Sequence, residues 1–387
     1  MIDTHAALEA LIQHAYREDY KAVGALVDGL AASRDSTLLP KLYKAFADFL
    51  DTSHLYGCEV TAQVLAGIAG VTALPTLLLA ADRELEDGEL DLYSTLHGLL
   101  NDDQEAARPL VLALVRSTST VKCLAGLRGM QQVARPEDIE LLAEVATRPD
   151  AQVRQRALDV IPHPADNERA FRVLATGLQD PDEEVRLLVL TRIAANPHPA
   201  AVEPLALLHT DPSAVVRAKA AYALGRIATP EALPALRLLL QDPDQRVRDQ
   251  ARGAVGLVGG STAVDTLLTE AAATEPRRRA SAAKALAKLV DDDPRAETQF
   301  MQLSRDPDGT VRAAVLSGLA DIGDPSGRWT PLVIAFADDP DVTVRHRVAV
   351  TARHLLPDAC DLLDRLAADP KGFVREAAEL ERTRVRH

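Results

Sequence analysis

Aromatic side chains are scarce in this chain: Phe, Tyr and Trp make up 3% of its 387 residues, and Trp329 is the single tryptophan. With 47% apolar residues, the core must therefore come mainly from Leu, Val and Ala, a composition that favours closely packed helices. Cysteine is scarce as well. Cys58, Cys123 and Cys360 are odd in number and far apart, so neither a disulfide framework nor a CxxC metal pair is expected, and a reducing cytoplasm fits. Basic residues are outnumbered, 43 against 57 acidic, for a net charge of -14. Phosphate contacts need a cationic face, so nucleic-acid binding by the surface as a whole is disfavoured, although a local basic face remains open. The first residues lack the basic start and apolar core of a signal peptide, and no export is expected. No nucleophile turn and no phosphate-cradling Gly loop can be found. The Gly-rich stretch at 256–264 reads as the end of one helix and the start of the next.

One long uncharged run is present, from Val60 to Ala81, and roughly 20 residues suffice to cross a bilayer. It contains Thr61, Gln63, Thr72, Pro75 and Thr76, and the repeat phase described next divides it near Gly70. Two helices with a turn, and no membrane span, are expected there.

What the sequence has in abundance is repetition. Prolines at 149, 181, 212, 243, 276, 307, 340 and 370 recur in steps of 30 to 33 residues, which marks a stacked array of small units. Arg follows five positions later as Arg154, Arg186, Arg217, Arg248, Arg312, Arg345 and Arg375, whereas the unit at Pro276 has Ser281. After Asp242-Pro243, the residues Val247, Ala251, Ala254, Val255 and Val258 form the buried stripe of an amphipathic helix. The preceding run from Pro230 carries a second stripe, so each unit is two antiparallel helices. The Asp-Pro pair punctuates them, since Pro suits a first helical turn and Asp accepts from its free N–H groups.

These units resemble HEAT repeats, and the stretch Val216 to Arg248 is similar to the bacterial phycobilin-lyase-like subclass. The resemblance implies an all-α fold, a right-handed α-solenoid of about twelve antiparallel helix pairs in a superhelix about 110 Å long. It places the family's first-helix proline on Pro234 and Pro331. It also implies a ladder of hydrogen-bonded Asp and Arg, on Asp211 with Arg217, Asp242 with Arg248, Asp306 with Arg312, Asp339 with Arg345, and Asp369 with Arg375. Loss of Arg248 is then expected to lower thermal stability. The motif is strong over 136–387 and decays over 1–135, where counting back from Arg154 reaches Lys122, Asp91 and Thr61. No linker separates the two parts.

Enzymes within the resemblance are poorly matched. Its iron hydroxylases use His-Glu pairs, and no His-Glu dipeptide occurs here; its DNA glycosylases need a basic groove with aromatics. Two Pro-His-Pro stretches, around His163 and His198, would lie about 10 Å apart, read best as rigid loops and do not make a metal site alone. No metal or other cofactor is called for.

Charge is uneven: residues 1–145 hold 22 acidic and 11 basic side chains, and residues 276–387 hold 18 of each. The densest acidic run includes Asp82, Glu84, Glu86, Asp87, Glu89 and Asp91, with Asp102, Asp103 and Glu105 after it. It reads as a solvated loop, with a dock for a basic segment as the sharper alternative. Candidate binding residues are Arg277, Arg278 and Arg279, which break the motif, with Arg345, Arg347 and Arg353 and the neighbouring His346 and His354, and Tyr222 in an Ala-rich helix. Screened surface pairing is the competing reading of the arginines. The reading that follows is a cytoplasmic, bacterial, non-catalytic scaffold or adaptor that binds a partner protein along its concave face, of regulatory or immunity type. An enzyme or lyase-like accessory subunit, and nucleic-acid binding through the C-terminal basic patch, are the alternatives.

Overall fold

The structure, a computed structural model, describes residues 3–83, 92–162, 167–324, 326–356 and 358–385. Among these residues the chain is all-α, an α-solenoid of 24 helices with no strand. The helices join in antiparallel pairs within two compact units, Met1–Val185 and Arg186–His387. This division lies C-terminal to residue 135, where the sequence motif begins to strengthen.

In the second unit the pair at Pro230–Val258 shows how the repeat is made. Pro230 opens a 3-10 turn, Pro230–Ala232, and Pro234 sits in the first turn of the helix Leu233–Leu239, where its missing N–H costs nothing. Leu233, Leu236 and Leu239 are buried, each worth about 1.5–3 kcal/mol. The chain then turns through Asp242-Pro243, and Asp244 caps the second helix, Gln245–Val258, by accepting from the Arg246 N–H. Val247, Ala251, Ala254 and Val255 are buried as the stripe requires, whereas Val258 is only half-buried. Gly259, at φ 69°, ends the helix in a backbone conformation that a side chain would strain.

Second helices of successive repeats approach so closely that small residues are obligatory. A Cβ on Gly256 would lie 2.8 Å from the Ala285 carbonyl oxygen, and one on Gly318 would lie 2.7 Å from the Ala287 Cβ. The low aromatic content and the Ala-rich helices are two sides of this packing.

In the first unit the apolar run breaks as its phase predicts. The helix Leu55–Ala69 ends at Gly70, φ 56°, and a 3-10 turn Gly70–Ala73 leads into Leu74–Ala81. By length and composition Leu55–Ala81 could cross a membrane. Its Val60, Val64, Leu65, Leu74, Leu77 and Leu78 are instead buried against neighbouring helices, as in any core helix. Of the motif positions counted back from Arg154, Lys122 is exposed with Cys123 buried beside it, Thr61 is buried and donates to the Gly57 carbonyl at 2.6 Å, and Asp91 lies outside the described residues.

Candidate functional site

The recurrent Arg-Asp pair is a bridge between repeats. Arg217 donates from Nε and Nη2 to the Asp242 carboxylate of the next repeat at 2.7 and 2.9 Å, and from Nη1 to the carbonyls of Asp211 and Pro212 in its own. Asp242 meanwhile accepts from the Asp244 N–H at 2.8 Å, which fixes its turn. The same geometry joins Arg154 to Asp180, Arg312 to Asp339 and Arg345 to Asp369, and Arg186 pairs with Asp211 at 2.8 Å. The ladder thus runs both within and between repeats, with a different acceptor for each. Arg217, Arg248, Arg312, Arg345 and Arg375 bond the main-chain carbonyls of Asp211, Asp242, Asp306, Asp339 and Asp369, while those carboxylates turn towards the preceding repeat. Burial alone would raise the Asp242 and Asp306 carboxyls, but the hydrogen bonds from Arg217 and Arg279 hold them below the ordinary carboxylate range.

The repeat at Pro276 corrects the sequence reading. Its bridging arginine is Arg279, which bonds Asp306 at 2.7 and 2.9 Å and the carbonyls of Ala273 and Thr274. Relative to Arg217, those carbonyls occupy the places of Asp211 and Pro212. The motif is thus present but slipped by two residues: Arg278-Arg279 stand for Val-Arg, Glu275 is the N-cap, and Ala273 holds the Asp place. In consequence Arg248 meets no carboxylate from the next repeat. Its side chain bonds its own Asp242 and Pro243 carbonyls and the Gln245 amide oxygen.

Three core positions are charged at the same point. In the slipped register Arg278 replaces the buried Val, Glu270 replaces a Leu such as Leu239 or Leu303, and Arg252 replaces an Ala such as Ala221 or Ala283. Arg252 is fully buried, and its Nε bonds Glu270 at 2.5 Å while Nη1 bonds Asp249 at 3.0 Å. Arg278 closes on the other Glu270 oxygen at 2.5 Å. Burial pushes the Glu270 carboxyl up, and the two arginines overcome that push, so it stays ionised below its usual range. Arg252 Nη2 is buried with no hydrogen-bond partner among the described residues. Asp249 also accepts from Gln245 at 2.8 Å and from the Ser281 hydroxyl at 2.5 Å, so Ser281 stands in a polar cluster rather than at a bridge.

Beside this cluster lies an open pocket of ≈ 440 Å³ across three consecutive second helices. Arg246, Asp249, Gln250 and Gly253 line it from Gln245–Val258, Ser281, Lys284 and Lys288 from the helix Pro276–Ala287 and its end, and Asp321 from Gly309–Ile322. Nothing lies within 4 Å of a Cβ placed on Gly253, so the absent side chain keeps the pocket open.

Residues 202–287 and 297–381 match the family model of HEAT repeats. The repeats of these segments are HEAT repeats. No curated protein matches the sequence. Among solved structures, Kap121p bound to Pho4p is 14% identical with a TM-score of 0.58, over 97% of this chain and 48% of that one. Kap95p, in a structure describing its effect on RanGDP, is 12% identical with a TM-score of 0.55, over 99% and 60%. Importin beta is 15% identical with a TM-score of 0.50, over 94% and 59%. At such identities the likeness is one of fold, and this chain spans about half to three fifths of each of these chains.

Across the HEAT repeats, the residues proposed for binding part company. Arg278 and Arg279 are held by Glu270 and Asp306, Arg345 by Asp369, and Arg353 by Glu381. Arg277 is 66% exposed with a single long contact, 3.7 Å to Asp249. His346 lies against Phe373, and burial lowers its pKa. Tyr222 is 42% exposed. Of the acidic run, Asp82 is taken by Arg128 and Arg156, Asp103 caps the helix Gln104–Val115 and Glu105 pairs with Arg135; Glu84, Glu86, Asp87, Glu89 and Asp91 lie outside the described residues. His198 accepts from the Ala200 N–H at the start of a 3-10 turn, and His163 lies outside the described residues. No group of His, Cys, Asp and Glu able to hold a metal ion occurs among the described residues.

The charged triad of Arg252, Glu270 and Arg278, and the pocket, are hidden in the sequence by the slip. Only an alignment on arginines rather than prolines puts Arg252, Glu270 and Arg278 at core positions, where a charged residue stands out.

Proposed function

We propose that this chain is a non-catalytic scaffold or adaptor that holds a partner protein on the second-helix face of its HEAT repeats. The observation that carries this reading is a set of exposed apolar side chains on the second helices of two repeats, with Leu257 on a third. Val215 and Phe373, 55% and 49% exposed, occupy one repeat position, and Tyr222 and Leu380, 42% and 53% exposed, occupy another on the same face. Leu257 lies one turn further along that face, also exposed. Large apolar groups left in water, as Tyr222 and Leu257 are on neighbouring second helices, gain by being covered. The fold of the karyopherins, seen bound to Pho4p in one case, is compatible with this use.

The subclass resemblance of Val216 to Arg248 and the scattered cysteines extend the reading to a bacterial cytoplasm, in a regulatory or immunity setting. A catalytic or lyase-like accessory role is the alternative reading. Nucleic-acid binding at the C-terminal arginines loses support because Arg278, Arg279, Arg345 and Arg353 are already paired. The test is affinity capture from the native host with nuclease present, comparing the chain with a Tyr222→Glu/Leu257→Glu variant of unchanged helicity. One stoichiometric protein partner, lost in the variant, is expected. Capture of nucleic acid alone, or of no protein, refutes the reading.

A further inference from the structure

We infer that the pocket between residues 246 and 321 is the docking point for an acidic segment of the partner, with an apolar residue beside its carboxylates. The inference rests on the scaffold reading and names the chemistry that the second-helix face recognises.

Four cations surround this point, and none is spent on a close ion pair. Arg246, Lys284 and Lys288 line the pocket with no ion pair among the described residues, and Arg277 next to it has only the 3.7 Å contact to Asp249. Of the two carboxylates present, Asp249 accepts from Gln245, Arg252 and Ser281 all at Oδ1, with Oδ2 facing Arg277 at 3.7 Å, and Asp321 has no ion pair among the described residues, so two carboxylates face four cations. The missing Asp at Ala273 adds to the imbalance, since Arg248 keeps its charge without a bridging carboxylate. Elsewhere in the HEAT repeats each bridging arginine between Arg154 and Arg345 meets an Asp; here alone the array is short of one.

The geometry also limits what can fill the shortage. Asp249 and Asp321 at the rim of the pocket punish a continuous run of anions, whereas separated carboxylates can lie between them. Tyr222 supplies the apolar part. It occupies on the preceding helix the place that Gly253 holds in this one, and the two helices touch where a Cβ on Gly225 would lie 2.7 Å from the Ala254 Cβ. A ring on one helix and a vacancy with cations on the next accept an apolar side chain followed by Asp or Glu.

The experiment is fluorescence anisotropy with the full chain and a labelled peptide of composition Glu-Asp-Phe-Glu-Asp-Leu, against its Gln-Asn counterpart and a single-stranded oligonucleotide. The acidic peptide is expected to bind, to weaken with salt, and to lose about tenfold or more in affinity in a Lys284→Glu/Lys288→Glu variant whose helicity and melting temperature are unchanged. Equal binding of the amide peptide, equal binding by the variant, preference for the oligonucleotide or no peptide binding overturns the site. Capture of the partner protein separates the two ideas: a partner retained by the variant overturns the pocket and leaves the scaffold standing, while no partner for the native chain removes the scaffold itself.

Discussion

A single arginine in this array has two jobs, and they are unequal from repeat to repeat. Arg217 holds the Asp242 carboxylate of its neighbour and two carbonyls of its own turn, with both charged groups largely out of water. Removing it leaves Asp242 buried without its counter-charge, which costs about 2–4 kcal/mol. Arg248 bonds only its own repeat, so its loss is expected to lower stability less than the loss of Arg217. Arg217→Ala should lower the melting temperature markedly and Arg248→Ala only slightly, as paired thermal melts will show. Cysteine reactivity is also decided residue by residue. Burial pushes the Cys58 thiol up to about 12, and burial likewise raises Cys123, while Cys360 is partly exposed. Since the thiolate is the reactive form, iodoacetamide at neutral pH should modify Cys360 alone in the folded protein and all three cysteines after unfolding, read by intact mass.

At the scale of the helix pair, partly exposed Arg278 and buried Glu270 and Arg252 replace a Val, a Leu and an Ala with three charges. Ion pairs of this kind are often no more stabilising than apolar residues that fill the same space, yet breaking one partner is costly. Glu270→Ala should therefore destabilise by about 3–5 kcal/mol, because Arg252 keeps its charge with no glutamate to meet it. The triple change Arg252→Ala, Glu270→Leu and Arg278→Val restores the pattern of the other repeats and should be neutral or stabilising by about 1–4 kcal/mol. A triple variant that melts well below the native chain would contradict the register. Ala273→Asp offers the complementary test: it gives Arg248 a carboxylate at the place of Asp211 and should stabilise by about 1 kcal/mol. The paired helices, the break at Gly70 and the first-helix prolines could be read from the sequence, because periodicity and punctuation are local signals. The slip could not be read through prolines, since Pro276 mimics the motif while sitting two residues late. Nor could the direction of each Arg-Asp pair be read, because a spacing of six residues is equally compatible with a carbonyl or a carboxylate as acceptor. The charge of the supposed C-terminal patch was visible, but its consumption by Asp306, Glu270, Asp369 and Glu381 depends on residues brought near only by stacking.

Over the whole molecule, repetition turns a residue's titration into a collective property. Hydrogen bonds from arginine hold the carboxyls of Asp242, Asp306 and Asp369 below the Asp reference of 3.8, and Glu270 lies below the Glu reference of 4.5. For a group whose folded pKa is depressed, the unfolded chain takes up protons first as pH falls. Its stabilising contribution is complete above the unfolded pKa and disappears as pH drops through the folded one. Above about pH 5 the melting temperature should therefore be insensitive to these groups, and below about pH 4.5 it should fall steeply. Each carboxylate that titrates adds about 1.4 kcal/mol per pH unit, so several bridges protonating together give a slope no single group could produce. Asp242→Asn removes one of them, and should lower stability at neutral pH while making the acid limb shallower by up to one proton. An unchanged acid limb in that variant would show that carboxylates outside the Arg-Asp bridges govern acid unfolding.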